Sequence, residues 1–252
     1  PEDFDDLTVN ADGTPKPLKF AVVTDEVFMQ RPAPRWIVKG LVPEGDLLVL
    51  FGETGAGKSF VALDIFGAVA RGVPWRGLRV RQRRVAFIVA EGGGGFRNRL
   101  CAYRQHHGAA PGVLVMHAAP NLMERGDATE VAKALAAAGG ADIVVVDTFA
   151  QTTPGANENA GEDIGKALKN CRGISQALGG ALVVLVHHTG KDTTRGARGW
   201  SGLKAAADAE IEVGRAPAGR YLRTSKQKDG DDGLEWGFDL DIVPVGIDED
   251  GD

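Results

Sequence analysis

At 252 residues and 43% hydrophobic content, the chain has enough apolar material for one large α/β domain with a packed core and ragged ends, the organisation we expect over two small domains. It has no run of eighteen apolar residues and begins acidic, a pattern that argues against a spanning helix or a secretory signal and for a soluble, cytoplasmic protein with no membrane partner. Cys101 and Cys171 lack Cys-x-x-Cys spacing, which argues against a zinc site or a disulfide framework and leaves both as buried or half-buried free thiols.

The net charge of −5 hides an uneven distribution. Glu2, Asp3, Asp5, Asp6, Asp248, Glu249, Asp250 and Asp252 place −8 at the two ends, and without them the chain is +3. Residues 182–228 hold nine Lys and Arg against four Asp and Glu, a local balance of +5 that suits a polyanion.

Residues 1–18 are acidic and broken by Gly13, Pro15 and Pro17, too poor in apolar surface to offset the entropy of ordering, so they read as a flexible acidic leader. Because the chain opens on Pro1 rather than Met, a preceding segment is expected. An apolar run at 47–51 leads into a glycine loop, and helical spacing follows over 60–70. Residues 85–90 form a buried-strand pattern, followed by the glycines 92–95 and a helix over 96–107 that ends in His106 and His107, read as a C-terminal cap. A strand at 113–116, an Ala-rich helix at 130–138 and the most strongly β-branched run, 142–146, come next. An amphipathic helix at 163–178 and an apolar strand at 181–186 precede shorter strands at 211–213, 221–224 and 234–240, and 245–252 is an acidic tail. Apolar strands without alternation are buried on both faces. Alternating with helices, they imply an α/β fold whose mostly parallel sheet is sandwiched by helices, with shorter C-terminal strands.

The loop Gly52-Glu53-Thr54-Gly55-Ala56-Gly57-Lys58-Ser59 satisfies G-x-x-x-x-G-K-[ST] between a predicted strand and a predicted helix. Its glycines let backbone N–H groups turn around phosphates, and the helix beginning near Lys58 and continuing through Phe60 aims its positive end at them. Lys58 is expected on the β- and γ-phosphates and the Ser59 hydroxyl on magnesium. Asp147 ends the 142–146 strand, where a carboxylate serves that metal through a bound water or directly. Glu91, after the 85–90 strand, is placed to activate the attacking water as a general base. His187 and His188 end the strand over 181–186, and a donor there contacts the γ-phosphate and reports its loss to the following loop. We favour His188 for that role. A metal site is the other reading of the pair, but no Cys or His at ligand spacing joins them.

This constellation resembles the RecA-like P-loop ATPase core, and within it the hexameric replicative helicases of the plasmid RepA type and related phage ATPases. The likeness spans about 36–237, making 19–244 the expected ATPase domain. It rests on Trp36-Ile37-Val38-Lys39-Gly40, the phosphate loop, Val73-Pro74-Trp75, Ala90-Glu91-Gly92, Val146-Asp147-Thr148, His187-His188-Thr189-Gly190-Lys191 and Arg195-Gly196-Ala197-Arg198-Gly199-Trp200-Ser201-Gly202. The resemblance implies ATP over other nucleotides, magnesium, and a homo-oligomeric ring, a hexamer, in which one subunit completes its neighbour's site. Thr224-Ser225-Lys226-Gln227-Lys228 looks like the family's late-strand basic pair, which makes Lys226 and Lys228 the expected residues acting across the interface. Neither shows a local carboxylate partner at strand spacing. Lys228 stands where many relatives have Arg and lacks that residue's bidentate fork.

In that fold the loops after the Asp147 and His188 strands face the central pore. The first runs from Phe149 to Asn159; the second carries Lys191, Arg195 and Arg198, residue types that grip single-stranded DNA through its phosphates without reading bases. Arg195 and Arg198 also suit a role on nucleotide across an interface, and Trp200 either stacks on a base or anchors the loop. The leading expectation is therefore a helicase motor on single-stranded DNA. A recombination or strand-annealing ATPase and a regulatory ATPase without nucleic acid are the alternatives.

Overall fold

The structure is a computed structural model that describes residues 22–30, 35–157, 160–188 and 201–246. The chain divides into two compact units, Pro1–Pro34 and Arg35–Asp252. In the first, α1 (Asp25–Met29) starts where the Thr24 hydroxyl accepts the Val27 amide at 3.4 Å.

The second unit holds a small antiparallel pair, β1 (Trp36–Val38) and β2 (Val42–Pro43), and one eight-stranded sheet. The sheet strands are β3 (Leu47–Gly52), β4 (Val85–Val89), β5 (Val113–Met116), β6 (Ile143–Asp147), β7 (Leu182–His188), β8 (Ala209–Ala216), β9 (Gly219–Gln227) and β10 (Glu235–Phe238), in the spatial order β10-β9-β8-β3-β7-β6-β4-β5. β8 through β5 in that order run parallel, and β9 and β10 add an antiparallel edge.

Helices α2 (Lys58–Arg71) and α3 (Gly93–His107) cover one face; α4 (Arg125–Ala137), α5 (Gly161–Ala177) and α6 (Ser201–Ala206) cover the other. Side chains alternate between faces along each strand. Leu50, Phe87, Val145 and Val184 pack with Ile65 and Phe66 of α2 and Phe96 of α3, while Val49, Ile88, Val144 and Leu185 pack with Leu135 of α4 and Ile164 and Leu168 of α5. Two apolar faces explain the unbroken apolar strands, and truncating one such leucine to alanine costs about 2–5 kcal/mol. Among the described residues no helix is long and apolar enough to cross a membrane.

Among the departures from the sequence expectation, three have a local physical cause. Helix α3 begins at Gly93 rather than 96, because Gly93–95 form its first turn; a Cβ on Gly93 would lie 2.0 Å from the His117 imidazole, so close packing selects glycine there. Helix α4 begins at Arg125 rather than 130, its polar first turn tied back by the Asp127 carboxylate accepting the Asn121 amide at 2.7 Å. The segment after β6, expected to begin a pore-facing loop, opens instead with a 3₁₀ turn over Phe149–Thr152 in which Phe149 and Thr152 are fully buried. Phe149 packs edge-on against His187 at 5.7 Å between centroids, so the start of that loop belongs to the core.

Candidate nucleotide site

Strand register builds the site. Gly52 of β3 pairs with His188 of β7, Asp147 of β6 with Val186 of β7, and Val89 of β4 with Asp147. The C-terminal ends of four parallel strands therefore share one edge, where ligands of open α/β sheets bind. The phosphate loop, His188, Asp147 and Glu91 lie along it in that order.

At Gly52 the neighbouring strand excludes any side chain, since a Cβ would lie 2.0 Å from the Val213 carbonyl oxygen of β8. Helix α2 starts at Lys58, leaving its first amides and its positive dipole end at the loop. The Lys58 side chain is buried, with Nζ donating to the carbonyls of Gly52 and Glu53 at 2.9 Å each and standing 3.3 Å from His188 Nδ1. His188 Nδ1 also lies 3.4 Å from Thr54 Oγ1. Burial pushes the Lys58 amine below its ordinary value, while Asp147, Glu53 and Glu91 pull it back up.

Asp147 is buried and accepts a hydrogen bond from the Ser59 hydroxyl. Burial raises its carboxyl above the usual range; Ser59, Arg99 and Lys58 oppose the shift and Glu91 adds to it. A hydroxyl beside a carboxylate is the hard-oxygen pair that magnesium takes from a protein when phosphates and water supply the remainder, so these residues fit the ion. Among the described residues no group of three or more His, Cys, Asp or Glu is arranged to hold a metal by itself. Glu91 is exposed just beyond β4, where the Ala90 amide donates to the Asp147 carbonyl at 2.8 Å and the Thr148 hydroxyl lies 3.5 Å from Glu91 Oε2.

A family model described as AAA domain matches residues 14–194, most of the chain. The chain belongs to this AAA domain family. The fold is similar to that of a KaiC-like protein from the hyperthermophilic archaeon Pyrococcus horikoshii OT3, with a TM-score of 0.57 and 15% identity over 81% of this chain and 90% of that one. It is also similar to the RadB recombinase, with a TM-score of 0.54 and 14% identity over 76% of this chain and 86% of that one. No curated protein matches. The AAA-domain chain thus carries its phosphate loop on a RecA-like fold, the helix-sandwiched, mostly parallel sheet that its sequence implies.

Sequence reasoning missed several residues of this AAA-domain site. Arg99, nearly two turns into α3, sets its guanidinium 5.0 Å from the Phe60 ring and acts on Asp147. Its spacing of eight residues from Glu91 across a helix start was the available signal. Arg215, at the end of β8, donates to the Gly55 carbonyl; nothing local in sequence links the two. Beside the loop, a cleft of about 270 Å³ is lined by Phe60, Asp64, Trp75, Arg99, Phe238 and Leu240 among others, joining α2, α3 and the chain after β10.

Other expected residues lie elsewhere. His107 does not cap α3: the Gly108 amide closes that end on the Arg104 carbonyl, and His107 Nε2 approaches Asp64 of α2 at 3.7 Å. Lys226 and Lys228 are at the opposite edge of their own sheet from the phosphate loop, because Gln227 pairs with Ala209 and Ala209 pairs near the start of β3, at Leu48. Neither has a carboxylate partner at strand spacing, but both have partners from distant sequence: Lys228 Nζ lies 2.7 Å from Asp208 Oδ1, and Lys226 Nζ donates to backbone carbonyls. Lys226 is in β9 and Lys228 directly follows it, and partners from distant sequence are invisible to a search at strand spacing. Lys191, Arg195, Arg198 and Trp200 lie outside the described residues, as do the leader and the last residues of the tail.

Proposed function

We propose that this P-loop ATPase is a ring-forming motor of the replicative helicase type, related to the plasmid RepA group, that hydrolyses ATP with magnesium and moves along single-stranded DNA in the cytoplasm. The carrying observation is the 3.3 Å contact between Lys58 and His188, which joins the phosphate loop to the strand end from which the basic segment with Lys191, Arg195 and Arg198 departs. In this reading Lys58 and the α2 amides bind the β- and γ-phosphates, and Glu91 takes the proton of the attacking water. Ser59 and Asp147 would hold magnesium, which supplies charge neutralisation of the phosphates. Phe60 and Arg99 offer the nucleoside a stacking face at the mouth of the cleft. His188 registers whether Lys58 is engaged and passes that state to the basic segment, which grips DNA phosphates.

A recombination ATPase is the second reading, favoured by the fold's likeness to the RadB recombinase. ATPase activity with and without single-stranded DNA, combined with sizing of the nucleotide-loaded protein, separates them. A motor gives DNA-stimulated turnover, closed rings and unwinding of a forked duplex; a recombination ATPase gives filaments on DNA and strand pairing without unwinding. Turnover indifferent to DNA would contradict both.

A further inference from the structure

We propose that Lys226 and Lys228 act within their own chain, as a brace tying α6 and the head of the phosphate-loop strand to β9, and that they do not complete a neighbouring subunit's nucleotide site. The inference refines the ring reading above by removing these two lysines from its catalytic interface.

Lys226 lies in β9 and Lys228 just past its end, and Gln227 between them donates to the Leu41 carbonyl at 2.8 Å. Lys226 Nζ reaches the carbonyl oxygens of Lys204 at 2.5 Å, Ala205 at 3.3 Å and Ala207 at 2.7 Å. These are carbonyls at the end of α6, where a helix has no further amides to bond and where its dipole favours a cation. An ammonium has three N–H donors, and three acceptors surround this one. A second tie runs from Lys204 of α6 to Glu210 of β8 at 3.5 Å, and that carboxylate is 1% exposed.

Lys228 completes the brace at the sheet. Its partner Asp208 uses the other carboxylate oxygen to accept the amides of Asp46 at 2.8 Å and Leu47 at 3.1 Å, while the Asp208 amide donates to the Leu47 carbonyl. Burial alone would raise the Asp208 carboxyl, but Lys228 and those two amides outweigh it and hold it below the usual range. β9, β8 and β3 are thereby pinned where β3 begins, one strand length from the phosphate loop it carries. For either lysine to reach a phosphate across an interface, it would have to abandon these acceptors: the end of α6 in one case, an ionised carboxylate in the other.

Amine-reactive labelling of the wild-type protein, read residue by residue by mass spectrometry below and above its assembly concentration, tests this without requiring turnover or DNA. Lys226 should react at least about tenfold more slowly than the exposed Lys133 at both concentrations, because the protection belongs to the folded chain. Amide exchange in α6 should accelerate about tenfold or more in Lys226→Met and return in Lys226→Arg, which keeps charge and donors. Lys58→Ala subunits should not restore turnover to subunits carrying Lys226→Met and Lys228→Met. Lys226 reacting as fast as Lys133 until assembly protects it, unchanged α6 exchange, or restored turnover in the mixture would each overturn the proposal. If the substituted chains fail to fold, the wild-type labelling still decides. Failure of the motor reading would appear instead as absent DNA stimulation, with Lys226 protection unaffected.

Discussion

His188 Nδ1 stands 3.3 Å from Lys58 Nζ, so the end of β7 meets the phosphate-loop lysine directly. An ammonium has three donors and no acceptor. The carbonyls of Gly52 and Glu53 take the other two Lys58 donors at 2.9 Å. A phosphate that engages Lys58 must replace one of the three, and the longest contact is the one to His188. We therefore expect His188→Ala to bind ATP within about threefold of wild type while losing the difference in DNA affinity between ATP-bound and ADP-bound protein, since a ligand shifts an equilibrium only through differential contacts. Fluorescence anisotropy of labelled single-stranded DNA with each nucleotide measures this; a preserved difference would remove His188 from the coupling.

Glu91 stands beyond β4 with its carboxylate exposed and the Thr148 hydroxyl 3.5 Å away, free of the burial that holds Asp147. Glu91→Gln should retain ATP binding and lose hydrolysis by about 100-fold or more, the scale of a positioned base. Single-turnover measurement with saturating protein isolates the chemical step. Hydrolysis within a few-fold of wild type would assign the base elsewhere.

Asp147 shows a conflict between stability and function. Its carboxyl is raised chiefly by burial, so the folded chain holds the proton more tightly than the unfolded one, and stability falls as pH rises from the usual carboxylate range through the raised folded value. At neutral pH the ionised side chain is a cost that Asp147→Asn removes. The variant should melt higher at pH 7, with the gain vanishing below about pH 4. Its hydrolysis should need roughly tenfold or more magnesium. A variant that melts lower at pH 7 would show that the Ser59 bond outweighs the burial.

Phe60 is 42% exposed, an aromatic ring held at the mouth of the cleft with Arg99 across it. If the nucleoside stacks there, Phe60→Ala should weaken ATP by about tenfold or more and leave tripolyphosphate binding unchanged, because the backbone amide that meets phosphate stays. Competition calorimetry with both ligands gives the comparison, and equal losses for the two would place the effect in the phosphate loop.

Much of this site was legible because the phosphate loop is contiguous and because strand ends announce themselves: Asp147 and His188 each close a run of apolar residues that must be buried. The sheet could be read for the same reason, as both faces of β6 and β7 are covered. What escaped depends on pairings distant in sequence. Arg215 meets Gly55 only because β8 lies beside β3, and Lys228 finds Asp208 only because β9 folds back on β8. Phe149 follows a strand and precedes polar residues, so it read as loop, whereas its burial comes from His187 on the adjacent strand. The start of α4 was missed because Arg125, Gly126 and Asp127 show no apolar periodicity.

Phosphate release from ATP by wild type and by Lys58→Ala, purified side by side with magnesium present, tests the central claim most directly. In the proposed function Lys58 contributes the charge-assisted contact to the phosphates, and no other lysine ammonium among the described residues hydrogen-bonds to the phosphate loop. The account predicts measurable turnover by wild type and a loss of about 100-fold or more in Lys58→Ala, whose circular dichroism and melting remain those of a folded chain. Wild-type turnover from a folded Lys58→Ala protein would contradict it.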